Sequence, residues 1–292
     1  MALSPQPPRT PVVAVTTVSY GSGDVLEGFL GSVPTASAGP VTVVVADNAL
    51  DDETVKMLSA AASARYLPLS RNLGYGGGMN EAIRTLPPEV RWVLVSNPDV
   101  VLTPGAIDAL VAVGDSDPRI GAVGPAIMTD DQVYPSARAV PSLRTGIGHA
   151  LFANIWLRNP WTRAYRRESS LETTRRDAGW LSGACVLVRR SAFDELGGFD
   201  EGYFMYFEDV DLGYRLGKAG YRNVYEPAAI VLHSGAHSTS DHSARMIAVH
   251  HQSARRFLTR KYSGWYLWPV RVALVIGLDI RSAVLSRRSG HH

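Results

Sequence analysis

The sequence predicts an α/β fold: a mostly parallel sheet flanked by helices, with a helical extension at the C-terminal end. Three observations carry that expectation. Short apolar runs alternate with helical spacings from residue 12 to about 100, the pattern of right-handed βαβ crossovers. The apolar runs end in polar clusters, Ser19-Tyr20, Asp47-Asn48 and Asn97-Pro98-Asp99. From Ala244 onward the chain turns into basic amphipathic segments.

The elements follow in order. Val12 to Val18 is an apolar run that reads as a buried strand. Asp24 to Val33 has helical spacing, with Val25, Leu26, Phe29 and Leu30 on one face and Asp24 placed to cap it. Val41 to Ala46 is a second strand, Glu53 to Ala64 an Ala-rich helix, and Arg65 to Leu69 a third strand. Gly74 to Gly78 reads as a glycine-rich turn, continued by a helix from Met79 to Leu86. Trp92 to Ser96 is the fourth strand. Residues 130–178 show no periodicity and read as loops and a helix. Trp180 to Arg189 is a strand, Tyr203 to Ala219 an acidic helix, and Arg222 to Val231 a strand that runs on to His233. The expected organisation is a flexible segment at 1–11, one α/β domain at 12–243 and a basic helical tail at 244–292.

Composition narrows the class. Charged residues make up 19% and hydrophobic residues 46% of 292 residues, which is ordinary for a globular chain. The formal net charge of +2 hides an asymmetry: Arg245, Arg255, Arg256, Arg260, Lys261, Arg271, Arg281, Arg287 and Arg288 face a single acid, Asp279. A basic tail on an acidic body calls for a polyanionic partner, a membrane surface or a nucleic acid. The single cysteine, Cys185, excludes an intramolecular disulfide. The proline-rich start, Met1 to Pro11, has no apolar core, so no secretion signal is expected. The longest apolar run of the tail, Val272 to Leu278, is far short of the ~20 residues that span a bilayer.

In open parallel sheets, ligands bind beyond the carboxyl ends of the strands, so the polar clusters belong to one site. Asp99 follows the fourth strand, where a carboxylate can hold a divalent cation and through it a diphosphate. Asn-Pro-Asp is also an ordinary turn sequence. Glu208, Asp209 and Asp211 lie among aromatics (Tyr203, Phe204, Tyr206, Phe207), where desolvation raises a carboxyl pKa and suits it to general-base work. The alternative is an acidic first turn favoured by the helix dipole. His233 at a strand end is either structural or a nitrogen ligand beside Asp99. His237 and His242 follow it; His250 and His251 have no assignable role. Asn72 to Asn80, rich in glycine, lets backbone approach a ligand closely but fails the dinucleotide spacing at Met79. Gly21-Ser22-Gly23 fails it at Leu26.

Taken in order, these motifs resemble the family 2 glycosyltransferases of GT-A fold, a Rossmann-like architecture for nucleotide-diphospho-sugars. The resemblance rests on Thr17-Val18-Ser19-Tyr20, Val45-Ala46-Asp47-Asn48, Asn72 to Asn80, Asn97-Pro98-Asp99, Trp180 to Ala184, and Gly197-Gly198-Phe199-Asp200-Glu201 leading to Glu208-Asp209-Val210-Asp211-Leu212. It covers about residues 12 to 240. It implies a nucleotide-sugar pocket of Thr17, Ser19, Tyr20, Gly21, Asp47, Asn48, Asn72, Gly74, Tyr75, Asn80, Asn97 and Pro98, with Asp47 reading the pyrimidine base. It implies Asp99 and His233 as ligands of Mg²⁺ or Mn²⁺, Asp209 as the catalytic base, and Trp180, Ser182, Gly183 and Glu208 on the acceptor side. Two departures stand out. The family's Asp-x-Asp has Asn97 in first place, one anionic ligand fewer. The usual Gly-Ser after Asp47-Asn48 is Ala49-Leu50.

Within the family the chain is most similar to the actinobacterial rhamnosyltransferases of cell-wall linker synthesis. The segments are Val133 to Arg138, Arg158-Asn159-Pro160-Trp161-Thr162, Gly179 to Gly183, Tyr203-Phe204-Met205-Tyr206 and Ala236-His237-Ser238-Thr239. That likeness implies inverting transfer of L-rhamnose from dTDP-L-rhamnose to polyprenyl-diphosphate-linked N-acetylglucosamine, in α-1,3 linkage. The single cysteine and the basic tail point to a cytoplasmic protein attached peripherally, through residues 255–288, to the inner face of the plasma membrane. Trp265, Tyr266 and Trp268 are interfacial residue types, and the arginines beyond them suit anionic head groups. The tail could instead pack on the catalytic domain or form a homodimer contact. A nucleic-acid partner is not expected, since it leaves the buried acids without a purpose. The remaining alternatives are another nucleotide sugar or acceptor, and a non-catalytic membrane-associated protein that binds nucleotide sugar.

Overall fold

A computed structural model describes residues 12–142, 174–234 and 243–269, together with Val272. The expected flexible segment at 1–11, the motif at 158–162, His237, His242 and the tail arginines from Arg271 onward lie outside the described residues.

The first half builds the expected alternation. Strands β1 (Val13–Ser19), β2 (Val41–Asp47), β3 (Arg65–Pro68) and β4 (Trp92–Ser96) are interleaved with helices α1 (Gly23–Ala36), α2 (Glu53–Ala61) and α3 (Gly74–Arg84). There follow β5 (Val100–Leu102), α4 (Ala106–Asp115), β6 (Ile120–Thr129), β7 (Gln132–Tyr134) and β8 (Ala137–Arg138). The second half adds β9 (Arg176–Ala178), β10 (Trp180–Leu181), β11 (Cys185–Arg189), α5 (Arg190–Glu195), α6 (Glu208–Lys218), β12 (Arg222–His233) and α7 (Ser243–Lys261).

One mixed sheet runs in the order β3-β2-β1-β4-β11-β6-β12-β5, and β8 and β10 form a separate antiparallel pair. The four N-terminal strands are mutually parallel, β11 is antiparallel to both neighbours, and β12 is parallel to β6 but antiparallel to β5. Both faces are covered. Val13, Val15, Trp92 and Leu94 pack with Leu26, Phe29, Ile107 and Leu110 of α1 and α4. The alternate residues Ala14, Val93 and Val95 pack with Met79, Ala82 and Ile83 of α3. Burial on both faces is why these strands read as unbroken apolar runs.

The structure corrects four local expectations. The glycine run is not a turn: Gly74 to Gly78 are the first residues of α3. The reason is proximity. A Cβ on Gly78 would sit 2.8 Å from Val18 Cγ2, so the helix lies on β1 at a distance that only glycine allows. Residues 203–207 are not helical, because Tyr206 and Phe207 adopt φ of 67°, the left-handed region, immediately before α6. The strand expected from Trp180 to Arg189 breaks into β10 and β11 around Ser182-Gly183-Ala184. Helix α1 begins at Gly23, with Ser22 at the cap position where Asp24 was expected.

Helix α7 packs on the segment around residues 200–210. Phe257 is buried with Tyr203 and Val210. Ser253 Oγ donates to the Met205 carbonyl (2.8 Å). Arg256 donates to Asp200 (2.8 Å), and Arg260 pairs with the same carboxylate. The 3₁₀ turn Trp265–Leu267 follows, with Trp265 84%, Tyr266 67% and Trp268 59% exposed. Among the described residues, no helix is long and apolar enough to cross a membrane.

Candidate active site

The polar strand ends meet because the strands are in register. Ser19 lies beside Asp47, and Thr17 lies between Val45 and Ser96. The Asn48 N–H donates to the Ser19 carbonyl (2.8 Å), closing the first two ends together. Tyr20 and Gly21 project beyond them, Tyr20 64% exposed and Gly21 at φ 64°. Thr17 Oγ1 is buried without a hydrogen-bond partner.

Asp47 holds a turn. Its carboxylate is fully buried and accepts the N–H groups of Ala49 (2.8 Å), Asp51 (3.1 Å) and Asp52 (2.8 Å) and the Tyr66 hydroxyl (2.8 Å). This fold of the turn carries Ala49-Leu50 in place of Gly-Ser, with positive φ at Leu50 and Asp51. Asn48 reaches across to the glycine loop. It donates to the Gly74 carbonyl (3.0 Å) and accepts the Leu73 N–H (3.0 Å), while Asn72 Oδ1 accepts the Gly74 N–H (2.9 Å). Asn80, expected in the pocket, is buried and locks the Phe199 backbone through its N–H (2.9 Å) and carbonyl (2.9 Å).

The Asn97-Pro98-Asp99 turn joins β4 to β5, and β12 lays His233 beside Val100. Asp99 Oδ1 is thereby 3.2 Å from His233 Nε2, and Asn97 Nδ2 is 3.4 Å from the same nitrogen. Ser234, which the sequence did not single out, donates its N–H to the Asp99 carbonyl (3.3 Å) and its hydroxyl to Oδ2 (3.4 Å). No group of three or more Asp, Glu, His or Cys able to hold a metal occurs among the described residues. One carboxylate oxygen and one imidazole nitrogen with an amide alongside fit Mg²⁺ or Mn²⁺, leaving further positions for phosphate oxygens and water.

Gly183 joins this corner to the acidic helix. The Asn97 N–H donates to the Ala184 carbonyl (2.9 Å). One residue earlier, the Gly183 N–H donates to Asp209 Oδ2 (2.9 Å), and the Tyr75 hydroxyl donates to the Gly183 carbonyl (2.5 Å). Asp209 Oδ1 accepts its neighbour's N–H, that of Val210 (2.7 Å). Trp180 donates Nε1–H to the Ala139 carbonyl (3.1 Å), and the Ser182 N–H donates to the Ser136 carbonyl (2.8 Å).

The three acids of α6 divide their work. Asp211 is buried and paired with Arg215 (2.5 Å), which also donates to the Leu196 and Gly198 carbonyls, so it is structural. Glu208 is buried, with Oε2 lacking a partner. Burial, then the charge of Asp209, pushes the Glu208 carboxyl upward. Burial pushes Asp209 up as well, against the N–H bonds of Gly183 and Val210 and the positive charge of Arg138. The Tyr75 phenol is driven well up by burial and by these two carboxylates, so it stays a donor. A partly buried carboxylate of raised basicity beside an open glycine backbone is equipped to take a proton from a hydroxyl.

The glycosyltransferase-like family 2 model matches residues 8–257. The N-acetylglucosaminyl-diphospho-decaprenol L-rhamnosyltransferase of Mycobacterium tuberculosis is 48% identical over 291 residues, covering 96% of this chain and 94% of that protein. The rhamnosyltransferase WbbL of Escherichia coli K12 is 43% identical over 82 residues, 28% of this chain and 31% of that protein. Among solved structures, a mannosyltransferase from Pyrobaculum calidifontis in complex with GDP-Man and Mn²⁺ superposes with a TM-score of 0.59 at 16% identity, covering 99% of this chain and 78% of that one. GalNAc-T7 with UDP, GalNAc and Mn²⁺ gives 0.60 at 14% identity, over 84% of this chain and 47% of that one. These two neighbours carry the GT-A fold, as the sheet order here does.

Proposed function

Since this chain belongs to glycosyltransferase family 2, we propose that it moves L-rhamnose from dTDP-L-rhamnose onto N-acetylglucosamine carried by a polyprenyl diphosphate, with inversion and in α-1,3 linkage. The observation that supports this reading best is the adjacency at Gly183-Ala184. Gly183 holds Asp209, and Ala184 holds the turn that brings Asp99 to His233. A base and a diphosphate anchor are thus joined by two consecutive residues.

Asp209 accepts the proton of the acceptor hydroxyl, which attacks the anomeric carbon from the face opposite the departing diphosphate. The N–H of Gly183 orients the carboxylate, and its desolvated setting raises its basicity. Trp180 and Ser182 border the acceptor sugar; Glu208, kept protonated by burial, holds the charge at this corner to one. Ser19, Tyr20 and Gly21 and the loop from Asn72 to Tyr75 border the nucleotide. A base that reaches Asp47 exchanges with one of the four donors now on its carboxylate. Asp99 and His233 would hold a divalent cation, which supplies charge neutralisation to the leaving diphosphate.

The exposed trio Trp265, Tyr266 and Trp268, beside the basic helix α7, is the surface we assign to the anionic inner face of the plasma membrane. Loss of binding to anionic vesicles in the Trp265→Ala, Trp268→Ala double variant tests that assignment; unchanged binding removes it.

The decisive test of the reaction is mass spectrometry of a mixture of protein, dTDP-L-rhamnose, Mg²⁺ and lipid-diphosphate-linked N-acetylglucosamine. A product heavier by one deoxyhexose is expected. Donor binding without product redirects the search to other acceptors; absence of donor binding overturns the choice of sugar nucleotide.

A further inference from the structure

Arg138 stands opposite Trp180 in the β8–β10 pair. Its guanidinium lies over two aromatic faces, 5.3 Å from the Tyr134 ring centre and 5.6 Å from that of Trp180. Nε donates to the Pro135 carbonyl (2.7 Å). These contacts fix the plane of the group and use one of its five N–H donors. Among the described residues no carboxylate pairs with it, and its charge acts on Asp209. The rest of the fork is a rigid, half-buried cation at the edge of the active site, the geometry that phosphate and carboxylate ligands select.

The order of groups along the backbone decides which anion it meets. Gly183 follows Trp180 by three positions, at most about 10 Å of chain. Beyond Gly183, Ala184 holds Asn97, and Asp99 and His233 follow. Along the backbone, Gly183 with its bond to Asp209 thus falls between Trp180, the partner of Arg138, and the corner assigned above to the leaving diphosphate. An attacking hydroxyl at Asp209 enters from the side opposite that leaving group. The remainder of the acceptor, one sugar ring away, would then lie on the side of Trp180 and Arg138.

We propose that Arg138 binds the diphosphate of the acceptor and makes the enzyme select sugars presented on a diphosphate rather than on a neutral aglycone. The inference rests on the transfer reaction proposed above. It gives a purpose to the segment Val133 to Arg138, to which the reaction itself assigns none.

The test compares two acceptors, N-acetylglucosamine on a short prenyl diphosphate and the matching alkyl N-acetylglucosaminide. Wild-type kcat/KM favours the diphosphate. Arg138→Gln also alters the base, so turnover falls on both; the readout is the ratio. That ratio falls by about 10- to 150-fold, the weight of one charge-assisted hydrogen-bonded contact. Arg138→Lys, which keeps the charge without the fork, recovers part of it. The dissociation constant for dTDP-L-rhamnose stays within about twofold, reporting an intact fold. An unchanged ratio overturns the proposal, and so does a loss that tracks weakened donor binding, since Arg138 would then serve the donor diphosphate. Equilibrium binding of the two acceptors without donor reads Arg138 apart from catalysis. If wild type turns over neither acceptor yet binds the diphosphate more tightly through Arg138, the reaction fails and the binding site stands. Equal binding of both by wild type overturns the site.

Discussion

Replacing Asp209 by Asn separates chemistry from architecture. The carboxylate accepts two backbone N–H groups, from Gly183 at 2.9 Å and Val210 at 2.7 Å. An amide keeps one acceptor and turns an N–H₂ toward the other donor. The lost bond costs about 1–3 kcal/mol. Removing the charge works the other way, because it ends the desolvation that raises Asp209 and the repulsion that helps to raise Glu208. The two effects oppose each other, so stability changes little. Removal of a positioned base costs ~10²- to 10⁴-fold in rate, or about 2.7–5.4 kcal/mol of barrier at 1.36 kcal/mol per decade. Single-turnover rates at saturating donor, with urea unfolding and donor affinity measured on the same samples, distinguish the two. The wild-type rate should decline as pH falls through the raised pKa of Asp209, since the base must be unprotonated, and the variant should lose that limb. A variant within about tenfold of wild type at equal donor affinity would refute the assignment.

Three further expectations can be checked. Glu208, raised by burial, holds its proton in the folded protein after the unfolded chain has lost it near the ordinary value of 4.5. Its stabilising contribution is full below that pH and is lost as pH rises through the folded value. Glu208→Gln should therefore gain urea stability over wild type increasingly toward alkaline pH. Gly74→Ala places a Cβ 2.0 Å from the Phe204 carbonyl oxygen at φ of 72°, so it should lose at least ~2–3 kcal/mol in denaturant titrations, with donor binding impaired. His233→Ala should raise the Mn²⁺ concentration for half-maximal rate by about tenfold or more; an unchanged metal dependence would remove His233 from the ligand set.

The parallel half of the sheet was legible because its strands are buried on both faces and announce themselves as apolar runs. The site was legible as clusters at strand ends, since a parallel sheet in register gathers those ends at one edge. Other features have no local signal. The glycine run becomes helix only because β1 and the Phe204 backbone press against it. The break in residues 203–207 comes from left-handed Tyr206 and Phe207, which no propensity favours. Strands β5 and β6 flank the end of β12 that carries His233, and Asp99 meets His233, 134 residues away, only through that pairing. Arg138 stood in a recognised motif, but its partners Tyr134 and Trp180 come together only through the β8–β10 pair. Asp47 and Asn80 illustrate the reverse: residues that look like ligand contacts are occupied in holding backbone.

The double arginine grip on Asp200 gives α7 a mechanical part in the chemistry. Asp200 opens the loop that ends in the two left-handed residues before α6, and α7 presses on that loop at Met205, where Ser253 bonds, and through His250 against Tyr206 and Phe207. Strained backbone of this kind persists only while its surroundings hold it. Cutting the chain after β12 to obtain a smaller catalytic unit would remove the brace and release the loop that aims Asp209. A bilayer that took hold of Trp265 and Trp268 would pull on the same helix, and on the proposed reading the proton acceptor and the lipid surface would be ends of one lever. The prediction is that amide exchange at the start of α6 slows when anionic vesicles are added, and that Asp200→Ala abolishes the response while leaving vesicle binding intact.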